Sequence, residues 1–311
     1  MKSQCLTFHP LYKERVWGGR RLATHFGRNL PDENPIGESW ELVDREDSQS
    51  IVCEPEFLGA SLHDLWTDHR REIFGEGYDS FRFPIIAKIL DATEVLSVQV
   101  HPAPDRLTHA EEEPKSEIWY FITADQGSCI YAGLKQGISR EDFESALASG
   151  RVSELLHQIP TRPHGCIVIP SGRLHAIGAG NVIFEIQQNS DTTYRVFDWN
   201  RLGLDGRPRK LHVEESLRNI DFNDFEPALA DCDAENLVDW HCFSVDRWAL
   251  DSGRQANAER RFSIFQVAAG KVSFGDRIFR HGDLFLVPAN YHRGSVKPVD
   301  GPATVLRTTL C

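Results

Sequence analysis

Two side chains of types that ligate metals lie two residues apart in a short apolar stretch. Gln99 and His101 belong to the run 95–101 (VLSVQVH). In a β-strand, side chains at positions i and i+2 point to the same face, so the two would project together, with Ser97 one step further along. The pair could ligate a cation, or it could face solvent on a half-exposed strand. The spacing alone leaves both interpretations open.

Two further candidates lie on neighbouring apolar stretches. Glu117 begins the run 117–123 (EIWYFIT), where a buried carboxylate without a partner would be costly. His175 follows the tight turn 171–174 (SGRL) after another apolar run. Together the four side chains would supply nitrogen and oxygen ligands and no thiolate. Such a set suits Zn²⁺ with open coordination positions, and it could also hold Fe²⁺, Mn²⁺ or Co²⁺.

Basic residues near these candidates could bind an anionic ligand. They are Lys88, Lys115, Arg195 and Arg201. Each of them could equally be an ordinary surface charge. That alternative is weaker for Lys88 and Arg195, since both interrupt stretches that are otherwise apolar. A cation buried there needs an anion, such as Glu185, Asp198 or a phosphate of the ligand.

The elements that must position these residues are mostly strands. Short β-branched and aromatic runs between turn residues predict strands over 94–100, 117–123, 166–170, 182–187, 193–198, 262–268, 271–274, 284–288 and 304–308. Helical patterns predict helices over 61–71, 105–112, 139–148, 153–158 and 213–220, with Ser139 as an N-cap. Many short strands with few helices favour a β-sandwich or jelly roll over a Rossmann sheet.

An imperfect internal repeat indicates two copies of one β unit. Residues 164–176 (HGCIVIPSGRLHA) and 281–293 (HGDLFLVPANYHR) each combine a His-Gly turn, an apolar strand, a proline and a histidine. The charged, turn-rich stretch 200–235 separates the two copies. We therefore expect three parts: an N-terminal lobe with the metal site over 1–205, a connection over 206–240, and a C-terminal lobe over 241–311.

The C-terminal lobe is not expected to bind metal. It keeps only His292 of a possible ligand set. Lys271 and Ser273 stand where a Gln/His pair would lie. We expect this lobe to be structural.

Composition excludes several classes of function. The 311 residues include 34 Lys and Arg against 46 Asp and Glu, a net charge of −12, which argues against a general nucleic-acid or anionic-membrane surface. No apolar run is long enough to cross a bilayer, and the first residues lack the apolar core of a secretory signal. Seven cysteines without C-x-x-C spacing favour reduced thiols. We expect a cytoplasmic protein without nucleic-acid or membrane partners, and the sequence carries no signal for its oligomeric state.

Several motifs occur in a fixed order over most of the chain: ERVWGG, GESWEL, SVQVHP, PKSEIWYF, IPSGRLHA and the long run 184–201 (FEIQQNSDTTYRVFDWNR). In order and spacing they resemble the type I mannose-6-phosphate isomerases, in particular their short bacterial branch. The resemblance implies a mainly β fold of two cupin-type jelly-roll barrels or sandwiches with short helices and no large helical domain. It also implies an aldose–ketose isomerase that interconverts mannose 6-phosphate and fructose 6-phosphate with one Zn²⁺ per chain.

The resemblance implies roles for individual residues. The family's zinc ligands fall on four positions, the same as those singled out above: Gln99, His101, Glu117 and His175. Its catalytic arginine falls on Arg195, and its lysine beside the glutamate ligand falls on Lys115. A nearby metal charge should lower the pKa of Lys115, which makes that lysine a proton shuttle for opening of the sugar ring.

The remaining assignments leave alternatives open. Glu185 matches a carboxylate of the family's pocket and is the candidate general base; a ligand histidine or metal-bound water is the alternative. Lys88 or Arg201 is the candidate partner of the substrate phosphate. Arg173 stands where the family usually has a small residue, so we expect its charge at the pocket rim, where it could change which phosphosugar fits. Other functions to weigh are an Fe²⁺ cupin dioxygenase and a non-catalytic protein that binds sugar phosphates.

Overall fold

The computed structural model describes residues 4–230, 233–257, 261–291 and 294–311. In the first two thirds of the chain the strands are β1 (Leu11–Gly19), β2 (Ile36–Leu42), β3 (Asp44–Arg45), β4 (Ser48–Gln49), β5 (Ile85–Ala92), β6 (Val98–Val100), β7 (Glu117–Ala124), β8 (Cys129–Leu134), β9 (Leu156–Pro160), β10 (Cys166–Ile169), β11 (His175–Ile177), β12 (Asn181–Gln188) and β13 (Tyr194–Phe197).

In the last third the strands are β14 (Asn236–Asp239), β15 (Phe243–Leu250), β16 (Arg254–Gln255), β17 (Ser263–Ala269), β18 (Lys271–Phe274), β19 (Arg277–Arg280), β20 (Leu284–Val287), β21 (Ser295–Pro298) and β22 (Ala303–Leu310). The helices are α1 (Arg21–Phe26), α2 (Leu62–Asp68), α3 (Arg70–Ile73), α4 (Arg140–Ala148) and α5 (Val213–Asn219). Short 3₁₀ turns lie at Pro55–Phe57, Pro104–Arg106 and Val152–Glu154.

The first sandwich consists of two antiparallel sheets. Sheet I has the strand order β1-β2-β5-β12-β7-β10, and sheet II has the order β13-β6-β11-β8-β9. Leu90, Trp119 and Ile183 of sheet I share one buried cluster with Ile130 and Ile177 of sheet II. The two sheets therefore face each other, and the removal of these side chains from water holds them together.

Strand β5 shows how sheet I separates two faces. Ile85, Ala87 and Ile89 pack into a large cluster that also contains side chains of α2 and of the last third of the chain. Lys88 and Leu90 point to the opposite face, because successive side chains of a strand alternate, and both line a cavity there. A strand that is buried on both faces consists mostly of apolar residues. Lys88 is a charged exception in β5, and its side chain lies on the face toward sheet II.

A second sandwich follows in the last third of the chain. Its sheets have the orders β14-β15-β22-β17-β20 and β16-β21-β18-β19. Trp248, Phe265 and Phe285 belong to the cluster buried in it. The two sandwiches are joined by the shared apolar cluster and by Leu6, whose backbone exchanges two 2.8 Å hydrogen bonds with Leu286.

The predicted architecture is confirmed: the described residues form mainly β-strands with short helices and no large helical domain. Helix α4 also begins where the sequence predicts. Ser139 accepts a hydrogen bond from the Asp142 backbone N–H, and Asp142 accepts one from the Ser139 N–H. This capping box satisfies two amides that a helix start leaves unpaired.

Two predicted helices are wrong. In 105–112 the chain forms a 3₁₀ turn and then a loop, because the Glu112 carboxylate accepts the backbone N–H groups of Thr108 and His109 and closes a turn. In 153–158 a 3₁₀ turn is followed by β9, where Ile159 pairs with Ile130 of β8. Pairing with an available sheet edge outweighs the local helical pattern there.

None of the described helices combines the length and apolar character that crossing a bilayer requires. Five described cysteines are free thiols: Cys5, Cys53, Cys129, Cys242 and Cys311. Cys232 lies outside the described residues.

Candidate metal centre and substrate cavity

Three strands bring the four predicted metal ligands together. Gln99 lies on β6 and His101 directly follows that strand, while Glu117 begins β7 and His175 begins β11. The pairing of β11 with β6 places His175 opposite Gln99 in sheet II. Glu117 approaches from sheet I. One ligand atom each of His101, Glu117 and His175 lies within 4.8 Å of the other two, and all three side chains are buried.

Both histidines turn an unprotonated nitrogen toward Glu117. The Nδ1–H of His101 donates to the Thr192 carbonyl at 2.9 Å, and the Nδ1–H of His175 donates to the Arg173 carbonyl at 2.8 Å. The neutral imidazoles therefore keep a lone pair on Nε2. Burial lowers the pKa of both histidines, and that of His101 falls well below 6.5. The neutral tautomer with a free Nε2 is the form that ligates a metal.

Two of the ligand atoms lack a hydrogen-bond partner among the described residues. His101 Nε2 is 3.6 Å from Glu117 Oε2, and His175 Nε2 is 3.8 Å from Glu117 Oε1. In the described part of the chain, no group hydrogen-bonds to His101 Nε2 or to Glu117 Oε1. Unpartnered polar atoms in such a buried place are costly, and a cation would satisfy them together. The residues therefore fit a divalent metal.

Gln99 adds an amide to this group. Its side-chain nitrogen lies 3.3 Å from His175 Nε2. The oxygen and nitrogen of an amide are nearly the same size, so a half-turn of the side chain exchanges them at little steric cost. With oxygen toward the group, the donor set is two imidazoles, a carboxylate and an amide oxygen. This set suits Zn²⁺, Fe²⁺, Mn²⁺ or Co²⁺ without selecting one of them.

A cavity of about 610 Å³ lies between the sheets and reaches this group. It is lined by five of the predicted site residues: Lys88, Gln99, Lys115, Glu185 and Arg195. The other three ligands lie behind them and are fully shielded from solvent, each with 0% of its surface exposed. A small molecule in the cavity would therefore meet Gln99 and Lys115 on the way to the metal ligands. This volume is typical of a site for a small-molecule ligand.

A row of alternating charges forms the sheet I wall of the cavity. On the cavity side it consists of Arg15, Glu38, Lys88, Glu185 and Lys115, and it ends behind the wall at the buried Glu117. Lys88 Nζ is 3.2 Å from Glu185 Oε1 and 4.9 Å from the centre of the Trp40 ring. Lys115 Nζ is 2.8 Å from Glu117 Oε2. Because the side chains of Lys88, Glu185, Lys115 and Glu117 are almost fully buried, each of these charges depends on its neighbours of opposite sign.

The row shifts the pKa of its carboxyl groups in opposite directions. Burial and the negative charge of Glu117 raise the pKa of Glu185, although Lys88 and Lys115 act against them. Burial also acts on Glu38, but Lys88, Arg15 and the Trp40 indole N–H outweigh it and lower the pKa of Glu38 to about 2. Glu185 is therefore a far better proton acceptor at neutral pH than Glu38.

Lys115 is held in its charged form by the protein groups around it. Burial alone would lower the pKa of Lys115, but Glu117 and Glu185 outweigh burial and raise the pKa above its ordinary value. From the sequence we expect a lowered pKa for Lys115, and these side chains do not produce it. It would require the charge of a cation at the ligand group.

Arg195 lies on the cavity wall with part of its guanidinium unused. Its Nη1 donates to the Lys210 carbonyl at 3.0 Å, and its Nε is buried without a hydrogen-bond partner in the described structure. The described residues form no ion pair with it within 4.0 Å. Burial and the nearby Arg209 lower the pKa of Arg195, because both disfavour its charge. An anion in the cavity would favour the charged form of Arg195 and so oppose the lowering of its pKa.

Two arginines lie elsewhere than the sequence suggests. Arg201 does not line the cavity; its guanidinium is 3.0 Å from Asp198 and also bonds to the Val95 carbonyl. Arg201 is predicted to contact the substrate phosphate, but it does not line the cavity in which that phosphate would lie. Arg173 does not reach the rim either, because Asp224 holds it in a two-pronged ion pair at 2.8 Å on the outer side of the turn. The expectation of a charge at the rim is wrong.

Comparison with known proteins decides the family. The family model described as phosphomannose isomerase type I, catalytic domain, matches residues 5–134. Mannose-6-phosphate isomerase ManA of Bacillus subtilis is 34% identical over 301 residues, which cover 93% of this chain and 94% of the relative. The chain belongs to the type I phosphomannose isomerases.

Other members of this family and their structures agree. A mannose-6-phosphate isomerase of Streptococcus mutans is 36% identical over 88% of this chain and 89% of its own length. The crystal structure of the Bacillus subtilis mannose 6-phosphate isomerase superposes with a TM-score of 0.86 at 30% identity, covering 98% of this chain and 99% of that one. A putative mannosephosphate isomerase from Archaeoglobus fulgidus, 22% identical with a TM-score of 0.82 over 99% and 98% of the two chains, shares the fold. The family predicted from the motifs is confirmed.

The cavity also contains residues that the sequence analysis did not assign. Arg15 and Glu38 reach it from β1 and β2, and Arg209 and His212 reach it from the loop before α5. Arg209 is anchored by Asp198 at 2.6 and 2.7 Å. Arg15 lies in the motif ERVWGG and Glu38 in the motif GESWEL. Both motifs match the family, and this match is the sequence signal that could have identified the two residues.

The second sandwich contains no comparable group within the described residues. Lys271, on β18, forms an exposed ion pair with Asp300, and Ser273 lies on the same strand. His292 lies outside the described residues.

Proposed function

We propose that the protein interconverts mannose 6-phosphate and fructose 6-phosphate by zinc-dependent aldose–ketose isomerisation. The observation that carries the proposal is the cavity of about 610 Å³ that joins Lys115, Glu185 and Arg195 to a buried group of nitrogen and oxygen ligands. The reaction needs an electrophile at the oxygens of C1 and C2, a base, and cations for the phosphate. Membership in the type I phosphomannose isomerases supports the same reaction.

The metal would be held by Gln99, His101, Glu117 and His175, one ion per chain. A bound Zn²⁺ supplies a redox-silent Lewis acid that stabilises negative charge on the substrate oxygens. The protein contributes an enclosed site and two histidines whose tautomer is fixed by backbone carbonyls. The unpartnered Nε2 of His101 and Oε1 of Glu117 support this assignment.

Glu185 is the general base of the proposed reaction. Its raised pKa brings the carboxyl closer to neutral pH, where a base is most effective. The carboxylate removes the proton from C2 of the open-chain aldose and returns it to C1 of the enediolate, while the hydroxyl proton passes from O2 to O1, and together these transfers yield the ketose. Trp119 donates to Glu185 Oε2 at 3.1 Å and Lys88 approaches Oε1 at 3.2 Å, so the carboxylate is held in one orientation.

Lys115 holds the proton that ring opening requires. Its ammonium group lies on the cavity wall beside the ligand group and would donate to the ring oxygen as the sugar opens. The same nitrogen takes up the proton that the C1 hydroxyl releases; when the product closes, it takes the proton back from the ring oxygen and protonates O2. The charge of a bound metal would favour this transfer, since it opposes the effect of Glu117 on the lysine.

Arg195 and the other wall cations would bind the negative charges of the substrate. Arg195 has a buried Nε without a partner and stays protonated, so it can donate to an oxygen that becomes negative during the reaction. Lys88 and Arg209 also line the cavity and would attract the phosphate dianion. Arg201 acts on the site through Asp198, which also holds Arg209.

The rest of the chain would support this site. The second sandwich begins with β14 at Asn236, inside the expected connection 206–240; it buries part of the first sandwich and is proposed to be structural. Residues 206–212 of the expected connection contribute Arg209 and His212 to the cavity, so we place them with the catalytic part over 1–205. The free thiols favour a reducing compartment, consistent with a cytosolic enzyme.

The test is a coupled assay of the zinc-loaded protein with mannose 6-phosphate, following fructose 6-phosphate, with unphosphorylated mannose as the control sugar. We expect turnover with the phosphosugar and far less with mannose, because the cationic wall contributes to binding. Oxygen uptake is followed in parallel with an iron-loaded sample. Zinc-loaded protein that binds the phosphosugar without turnover, or iron-loaded protein that consumes oxygen, would contradict the proposal.

A further inference from the structure

The turn that carries His175 is held from outside by residues 219–226, here called the brace. The Asp221 backbone N–H donates to the Gly172 carbonyl at 2.8 Å, and the Gly172 N–H donates to the His101 carbonyl at 2.9 Å. The turn therefore lies between a metal-ligand residue and the brace. A Cβ on Gly172, which has a φ of +87°, would lie 3.4 Å from the Asn219 carbonyl oxygen. The left-handed backbone explains why glycine is needed here.

An ion pair fixes the next residue of the turn to the brace. Arg173 Nε and Nη2 donate to the two oxygens of Asp224, each at 2.8 Å, and Arg173 Nη1 donates to the Val168 carbonyl at 2.7 Å. Both side chains are only 16% exposed. A two-pronged arginine–carboxylate contact of this kind is strong and geometrically specific. It leaves the guanidinium little freedom to move.

The same arginine also orients the imidazole. The Arg173 carbonyl accepts the Nδ1–H of His175 at 2.8 Å, and this bond sets both the tautomer and the ring plane of His175. Movement of the Arg173 backbone would therefore move the acceptor of a proposed metal ligand. In metal sites, such partners of the ligating groups influence affinity strongly.

The brace itself is anchored to sheet II. The Asp224 carbonyl accepts the Leu134 N–H at 3.0 Å at the end of β8, and the Gly133 N–H donates to the Leu174 carbonyl at 2.8 Å. Strand β8 in turn pairs with β11 through Ala132 and His175. With the ion pair included, a continuous set of contacts runs from sheet II through the brace to the turn that carries His175.

We propose that Arg173 and Asp224 are positioning residues of the metal centre, which fix His175 for metal binding from outside the cavity. The inference rests on the proposed metal function of His175. It assigns a role to a salt bridge that touches neither the cavity nor the ligands directly. Its loss is expected to weaken metal binding without removing any ligand.

The test is the dissociation constant of zinc, measured by competition with a chromophoric chelator. Asp224→Asn is expected to weaken zinc binding about 10- to 100-fold. Arg173→Lys keeps the charge but loses the two-pronged contact, so it should weaken binding less. The double variant should resemble Asp224→Asn alone, because both changes break one contact.

The matched control is Asp246→Asn in the second sandwich. Asp246 forms an ion pair of similar burial with Arg307, at 3.2 Å with side chains 20% and 22% exposed, far from the ligands. The control should lower the urea midpoint of the metal-free protein and leave zinc affinity unchanged. If wild-type protein binds no zinc, both the proposed function and this inference fail. If the wild-type protein binds zinc and both variants, Asp224→Asn and Arg173→Lys, bind it as tightly, only the positioning role fails. An equal loss of zinc affinity in Asp246→Asn would also overturn the positioning role.

Discussion

Replacing Lys88 by methionine tests whether the charge row in the cavity wall is energetically linked. Methionine keeps the length and apolar stem of lysine and removes its charge. Glu185 would lose the cation 3.2 Å from its Oε1, and Glu38 would lose the largest of the attractions that lower its pKa. Both carboxyls would stay buried. The variant should therefore be much less stable than the loss of one surface charge would suggest.

The magnitude follows from the distance and the burial. At 3.2 Å and an effective dielectric constant of about 20, two unit charges attract by about 5 kcal/mol. Desolvation of the two groups offsets part of that attraction, since Lys88 and Glu185 are 7% and 5% exposed. Removing one member of a buried pair typically costs about 3–5 kcal/mol. We expect this loss for Lys88→Met.

The double variant Lys88→Met/Glu185→Gln separates the pair from the packing. It leaves no uncompensated charge at either position, and the amide oxygen introduced by Glu185→Gln can still accept from the Trp119 indole. We expect it to recover the part of the lost stability that comes from the uncompensated Glu185, whereas Glu38 still lacks Lys88. Urea unfolding followed by tryptophan fluorescence, with chelator present so that metal binding does not contribute, gives the free energies.

The control for this cycle is Arg71→Met. Arg71 pairs with Glu76 in full contact with water, with side chains 85% and 72% exposed. Its loss should change stability by no more than about 0.5 kcal/mol. The linked charge row would be refuted if Lys88→Met lowered the free energy of unfolding no more than Arg71→Met does. It would also be refuted if the double variant lost the sum of the losses of Lys88→Met alone and Glu185→Gln alone.

Three further predictions concern the site itself. His175→Ala should abolish stoichiometric zinc binding and turnover together, measured by elemental analysis and the coupled assay. Arg195→Ala should keep its zinc but lower turnover on the order of 10²-fold, since it removes a donor to developing negative charge. Glu38→Gln should flatten the acid dependence of stability. The carboxyl pKa of about 2 lies below its ordinary 4.5, so Glu38 stabilises the fold above about pH 4.5 by about 3 kcal/mol, and this contribution is lost as the pH falls toward 2.

Each of these predictions has a contrary result. Full activity in zinc-free His175→Ala would remove the histidine from the mechanism. Unchanged turnover in Arg195→Ala would make that arginine a structural residue. Urea midpoints of Glu38→Gln that fall between pH 5 and pH 3 as steeply as those of the wild type, at matched chelator, would show that Glu38 does not carry the shift.

Part of the candidate ligand group could be predicted from the sequence because its signals are local. Gln99 and His101 share a face through the two-residue repeat of a strand, and Glu117 stands out as a charge at the start of an apolar strand. Their convergence required more than local pattern. His175 meets Gln99 through the pairing of β11 with β6, which no local pattern indicates. The turn before His175 and the family's motifs placed the two residues in one ligand set without predicting that pairing.

The cavity wall could not be predicted in the same way. Glu38 reaches Lys88 because β2 pairs with β5, a contact between residues far apart in the chain. Arg209 lies in a charged, turn-rich stretch whose composition is typical of a connection. The side-chain direction of Arg173 was likewise decided by Asp224, about fifty positions later, which no local pattern indicates.

The central claim is that a metal held by Gln99, His101, Glu117 and His175 makes this protein an isomerase. The most direct measurement is turnover of mannose 6-phosphate by protein stripped with chelator and then titrated with Zn²⁺. We expect stripped protein to be inactive and activity to return in proportion to added zinc until one ion per chain is bound. Stripped protein that turns over the sugar at the full rate would contradict the claim.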